Sequence, residues 1–373
     1  MPDLPRAGSR ILTVAVALSI SVVVVEVVFC TVGYDFEPGR EKARNAWPIF
    51  YRQPHIPVGD VFFQREGPAT WSGKVLRTGY VLSGGRSEAY TNEPDVIVTY
   101  DSDGFRNPDT LSDWEIVVVG DSFVELGHLP SDALFTTELS RLVGLRVKNV
   151  GVSHTGPLAY VTYLEHFGAA PSTRHAIMIF FEGNDLLDLM RERDAVHRFE
   201  TDGDRDYRSL EPQSSFIRAI WRTVRRLRPQ RAKTELDAFF RERGVTLGYA
   251  PPDVTDLPDD LRAALDSSLV AWARAARKHR MTPWLAYMPC KRRVMHSYVR
   301  YAELNTDTWQ PNDLPAYVRE RALHYGISFV DLTPALRHES ATGRMTYNEI
   351  WDTHLNRHGA AVVARTLADS LSR

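Results

Sequence analysis

Five short apolar runs after Trp114 alternate with stretches of helical periodicity, and this alternation limits the folds open to the chain. The runs are "EIVVVG" (115–120), "RVKNVGV" (146–152), "HAIMIFF" (175–181), "TPWLAYMP" (282–289) and "ISFVDL" (327–332). Short length and enrichment in Val, Ile and aromatics mark them as strands, and several are apolar nearly throughout. A strand is apolar on both faces when both faces of its sheet are covered. Helix patterns lie near 131–142, 157–169, 260–280, 314–325 and 357–371. In the third, Leu261, Leu265, Leu269 and Trp272 share one face at spacings of three and four. The alternation predicts a parallel sheet between helical layers, with functional side chains at the carboxyl ends of the strands.

The N-terminal part reads differently. From Ile11 to Gly33 the sequence is "ILTVAVALSISVVVVEVVFCTVG", preceded by Arg6 and Arg10. At about 1.5 Å per residue it spans a hydrocarbon core of roughly 30 Å. A cleaved signal would have a shorter apolar core ending at small residues, which "FCTVG" fits poorly. Glu26 costs a few kcal/mol in lipid unless it sits near the interface. The expectation is a single-pass signal anchor over 11–33, with residues 1–10 cytoplasmic and the rest of the chain extracytoplasmic. Residues 34–110 read as a linker followed by a small β-rich region, with "DVFFQ", "GKVLRTGYVLS" and "DVIVTYDSDGF" as short strands. The main domain then occupies 111–373. Within it, 191–258 reads as an insertion, charged and loop-like at first. Further on, Phe216, Ile217, Ile220, Trp221, Val224 and Leu227 form an apolar stripe among arginines.

Composition narrows the function classes. Forty-five Lys and Arg against 47 Asp and Glu give a formal net charge of −2, which removes the electrostatic case for nucleic acid. The two cysteines, Cys30 and Cys290, form no disulfide framework, and Cys290 reads as an inert structural residue. The sequence has no zinc-ligand spacing, GxGxxG fingerprint or P-loop.

The first strand ends in Gly120-Asp121-Ser122, placing Ser122 at the carboxyl edge of the expected sheet. Considered alone, such a serine is more often a helix cap or turn residue than a nucleophile. The second strand runs into "NVGVSHTGP", the third into "FFEGNDLLD", and "WDTHLNRHG" precedes the last helix. A nucleophilic serine needs a base, and the base needs an orienting acceptor. His354 and Asp352 supply these types. Two residues apart, they cannot share a helix face, so they belong in a loop before the helix near Arg357, with Asn356 as its cap. Asn184 offers an amide that donates without changing charge. Lys291, Arg292 and Arg293 read as a solvated basic rim, with binding of an anionic substrate group as the alternative.

In this order and at these strand ends, the segments resemble the SGNH, or GDSL-like, hydrolase superfamily, over roughly Asp103 to Arg373. "DGFRNP" (103–108) is similar to the lead-in of its membrane-anchored bacterial members. The resemblance implies a flavodoxin-like three-layer α/β/α fold with a mainly parallel five-stranded sheet. It implies a serine esterase acting on O-acyl groups, acetyl foremost, through an acyl-enzyme. Ser122 would attack, His354 would relay the proton and Asp352 would orient His354. The main-chain N–H of Ser122, a main-chain N–H in the second turn and the Asn184 amide would bind the oxyanion. Asp121, Gly183 and Asp185 would support their loops.

One position departs from the pattern. Aligning Asn149 with the family's usual asparagine puts His154 where a glycine often supplies the second donor. A histidine there is uncommon if the turn needs a positive φ. The resemblance implies no metal or redox cofactor. It implies an acylated small molecule or polysaccharide as substrate, and a membrane acyltransferase as a candidate partner. The Asp-x-His-x-Asn form is close to that of polysaccharide O-acetylation proteins. Transfer to a sugar hydroxyl therefore stays open beside hydrolysis, as does a relative that only binds polysaccharide.

Overall fold

A computed structural model of the chain describes residues 55–73, 96–203, 238–301, 309–348 and 352–372, with isolated helical positions between 17 and 28. Apart from those positions, the anchor expected over 11–33 lies outside the described residues, as does the stripe at 216–227. Among the described residues, no helix is long and apolar enough to cross a membrane.

Two antiparallel strand pairs come first. Strand β1 (His55–Val58) pairs antiparallel with β2 (Phe62–Arg65), and β3 (Ala69–Gly73) with β4 (Val96–Tyr100). Next come β5 (Ile116–Gly120), α1 (Ser122–Glu125), α2 (Phe135–Val143), β6 (Val147–Gly151) and α3 (Pro157–Tyr163). They are followed by β7 (His175–Phe181), α4 (Asp185–Asp202), β8 (Ala238–Phe240), β9 (Arg243–Val245), α5 (Asp259–Lys278) and β10 (Thr282–Met288). The chain closes with α6 (Lys291–Met295), β11 (Arg300–Tyr301), α7 (Leu314–His324), β12 (Ser328–Asp331), α8 (Thr333–Thr342) and α9 (Arg357–Leu371).

The main sheet has five strands in the order β12-β10-β7-β5-β6, and every neighbouring pair is parallel. Numbered by appearance, this is the doubly wound 2-1-3-4-5 order of the flavodoxin type. Ile116 and Val118 of β5 pack into one core with α2 and α9, and Val117 and Val119 into the other with α3, α5 and α7. All four are fully buried, each worth roughly 1.5–3 kcal/mol of transfer free energy. The two helical layers are why these strands read as unbroken apolar runs. Between β5 and β7 the winding reverses, opening a crevice at the strands' carboxyl ends.

The N-terminal region covers the edge strand β6. Asn107 donates Nδ2 to the Asn149 carbonyl at 2.9 Å and accepts the Asn149 N–H at 2.7 Å. A side-chain amide thus occupies main-chain groups that an open edge would expose.

The charged, loop-like start expected at 191 is instead helix: α4 continues to Asp202. Leu186, Leu189 and Ala195 face inward together with buried Glu192, while Arg191 and Asp194 face solvent. That inward stripe is too narrow, and too interrupted by acid, to read as an amphipathic period. The hairpin β8–β9 follows, with β11 added on its β8 side.

Candidate active site

Asp121 begins α1 by accepting the Phe123 N–H on Oδ1 at 2.9 Å. This cap turns the chain sharply after β5 and sets Ser122 at the mouth of the crevice. Ser122 Oγ lies 2.8 Å from His354 Nε2, and His354 Nδ1 lies 2.6 Å from Asp352 Oδ1. A carboxylate only accepts, so the proton belongs on Nδ1 and Nε2 is left to accept from the serine hydroxyl. The arrangement can deprotonate Ser122 and return the proton to a leaving group.

The histidine loop is held from several directions. Asn348 donates Nδ2 to Asp352 Oδ2. Lys291, fully buried, donates Nζ to the carbonyls of Asn348 at 2.6 Å and Asp352 at 3.3 Å. Asn356 caps α9 by accepting the Gly359 N–H at 2.9 Å, and its Nδ2 reaches the Met345 and Tyr347 carbonyls. The cap expected at Asn356 is therefore present.

Charge at the site is shaped by burial. Burial disfavours the His354 imidazolium, but Asp352 foremost, with the charges of Asp121 and Glu125, more than offsets it and raises the pKa above the ordinary 6.5. Asp121 is pushed up to about 6 by burial, against the pull of the Phe123 N–H. His128, whose ring centre lies 5.7 Å from that of His354, is taken down to about 4 by burial and stays neutral at pH 7.

The basic trio is corrected by the structure. Lys291, Arg292 and Arg293 are buried, so they form no solvated rim. Arg292 donates to the Tyr249 and Gly248 carbonyls. Arg293 pairs with Glu182 at 2.7 Å and binds Asn312. Three adjacent cations look like surface in a sequence because their partners, a carboxylate and main-chain carbonyls, are distant along the chain.

Asn184 stands at the N-cap of α4, at the end of β7. Its amide donates to Asp188 Oδ2. Gly183 is required by close approach: a Cβ there would meet the Phe181 ring at 2.4 Å and the Tyr249 ring at 2.9 Å. Asp185 is buried and holds the same turn, with Oδ2 accepting the Phe181 N–H and Oδ1 accepting the Tyr160 hydroxyl, each at 2.9 Å.

His154 has its side chain exposed and its backbone left-handed, with φ of 65°. For a non-glycine residue this costs about 1–2 kcal/mol. The turn is pinned on both sides. Glu125 accepts the Ser153 N–H at 2.7 Å, and Glu192 accepts the N–H groups of Gly156 and Leu158.

Tyr249 was not singled out from the sequence. Its ring stands edge-on to Phe181 at 5.4 Å and is 40% exposed. Burial and then the charges of Asp121, Asp188 and Asp352 push its phenol up to about 12. Beside it, Gly248 closes on the histidine loop: a Cβ there would meet Thr353 Cγ2 at 2.3 Å. "TLGYAPP" carries turn residues, but no local pattern ties it to Ser122.

No family model matches the sequence, and no curated protein does. Among solved structures, the chain is similar to a member of the lipolytic protein G-D-S-L family from Veillonella parvula DSM 2008. That match has 12% identity, covers 69% of this chain and 98% of that one, and has a TM-score of 0.31. It is also similar to a catalytic mutant of an acetylxylan esterase from Geobacillus stearothermophilus, at 13% identity over 70% and 94% of the two chains, with a TM-score of 0.36. A third is an alpha/beta hydrolase enzyme from the metagenome of Lake Arreo, Spain, at 14% identity over 69% and 95%, with a TM-score of 0.34.

Proposed function

We propose that the chain is a serine esterase of the SGNH type that cleaves O-acyl esters through an acyl-enzyme. The observation that carries this reading is the continuous contact from Ser122 Oγ through His354 to Asp352, at 2.8 and 2.6 Å. Ser122 attacks the acyl carbonyl while His354 takes its proton. The imidazolium, stabilised by Asp352, then protonates the departing alcohol, and water repeats the sequence to release the acid. The main-chain N–H of Ser122, a donor in the His154 turn and the Asn184 amide hold the developing oxyanion.

Labelling by a fluorophosphonate, followed by peptide mapping, tests the reading: a single adduct on Ser122 is expected. A folded protein that takes up no label would end the esterase interpretation. Acetyl release from p-nitrophenyl acetate, run with and without an oligosaccharide acceptor, distinguishes water from a sugar hydroxyl as acyl acceptor. Asn184→Ala is expected to lower kcat by about 10²–10³-fold with little change in KM, the usual loss of one oxyanion donor. A change confined to KM would move Asn184 from oxyanion binding to ground-state binding.

A further inference from the structure

The β-rich region and the "DGFRNP" segment have no part in the triad, yet two of their arginines end on the short helix that Ser122 begins and the turn after it. Arg65, the last residue of β2, is buried against Glu125, with Nη2 3.1 Å from Oε2 and Nε on Oε1. Tyr100, at the end of β4, donates its hydroxyl to the same Oε1. Glu125 ends α1, three residues after Ser122. Its Oε2 accepts the Ser153 N–H at 2.7 Å and the Ser153 hydroxyl. One carboxylate therefore joins the N-terminal region to the turn that contains His154. Burial would protonate it, but Arg65, together with the hydrogen bonds from Ser153 and Tyr100, more than offsets that and holds it at about 2, so both oxygens accept throughout the working pH range.

Arg106, from "DGFRNP", is the second arm. It donates to the carbonyls of Glu125 at 3.2 Å, Leu126 at 3.0 Å and Leu129 at 2.7 Å. Leu126 and His154 are both left-handed without being glycine, with φ of 41° and 65°. Such residues persist where their surroundings over-determine them. One follows the serine helix directly, and the other sits in the turn assigned the second oxyanion donor. The close fit of these two segments shows at Gly151, where a Cβ would meet the Glu125 main-chain nitrogen at 2.3 Å.

We propose that Glu125, held by Arg65 and Tyr100, is a positioning residue that fixes the main-chain oxyanion donors. The N-terminal β-rich region is thereby a working part of the catalytic unit. This rests on the esterase reading. Glu125 touches no reacting atom; it acts through the Ser153–His154 backbone.

The test compares full-length wild type with Glu125→Gln, Arg65→Met, Arg65→Lys and Ser153→Ala, each checked for folding by circular dichroism. The readouts are fluorophosphonate labelling rate, kcat and KM. Glu125→Gln is expected to lower kcat and labelling rate by about 10–10²-fold, the scale of a small misplacement of catalytic groups, with KM within about twofold. Arg65→Met should follow it, and Arg65→Lys should recover much of the loss. Glu125→Gln and Arg65→Met that fold yet keep wild-type kcat would overturn the proposal, as would a loss confined to KM. If the charge variants do not fold, Ser153→Ala decides, because it removes only the hydroxyl contact. A fall in its kcat at constant KM supports the positioning role, and an unchanged kcat overturns it. Failure of the wild type to label overturns the esterase reading and this inference with it. Labelling of the wild type with equal rates in every folded variant overturns this inference alone.

Discussion

Ser122→Ala is expected to lower kcat by about 10⁶-fold and to abolish fluorophosphonate labelling while leaving the fold intact. The loss should be this large because, in the proposed mechanism, the Ser122 hydroxyl, 2.8 Å from His354 Nε2, is the atom that forms the acyl-enzyme. The side chain is only partly buried and its loss leaves the Asp121 cap on Phe123 in place, so thermal stability should change little. Melting temperature and initial rates on p-nitrophenyl acetate check both halves. Activity in the alanine variant equal to that of wild type would remove Ser122 from the mechanism.

Asp352→Asn is expected to cost about 10⁴-fold in kcat. An amide facing His354 Nδ1 can donate to it, which would move the imidazole proton to Nε2, where it can no longer accept from Ser122. The pH profile gives an independent readout. In the wild type the base must be neutral, and Asp352 raises the His354 pKa above 6.5 despite burial. Activity should therefore fall as pH drops through a midpoint above 6.5. Removing the charge of Asp352 removes the chief influence that raises it, so the residual activity of Asp352→Asn should show a midpoint at lower pH. A midpoint unmoved by the substitution would mean that another group controls the acid limb. Asp121, pushed to about 6, is the neighbour to examine in that case.

The separate visibility of these features in the sequence has a physical origin. The strand runs at 115–120 and 175–181 were legible because a sheet covered on both faces needs apolar residues at consecutive positions. Ser122 was legible because a glycine, an acid and a hydroxyl at a strand's carboxyl end form a local pattern. Asp352 and His354 were legible as a pair because their spacing excludes a shared helix face. Helix α4 past Arg191 was hidden, since its inward face includes the buried Glu192. Lys291, Arg292 and Arg293 were misread for the same reason: a buried charge looks like a surface one until its partner is found.

Local order, strand periodicity and the identity of the candidate nucleophile, base and orienter are properties of short segments, and the sequence alone determined them. Tertiary structure alone decided that the β-rich region packs against the short helix that begins at Ser122. The contacts that do so, Arg65 to Glu125 and Arg106 to the Leu126 carbonyl, join residues far apart in the chain. It also decided that His154 adopts φ of 65° and that the Tyr249 ring packs edge-on against Phe181. Backbone strain and buried charge are tolerated only when several distant groups converge on them, and that convergence leaves no periodic trace along the chain.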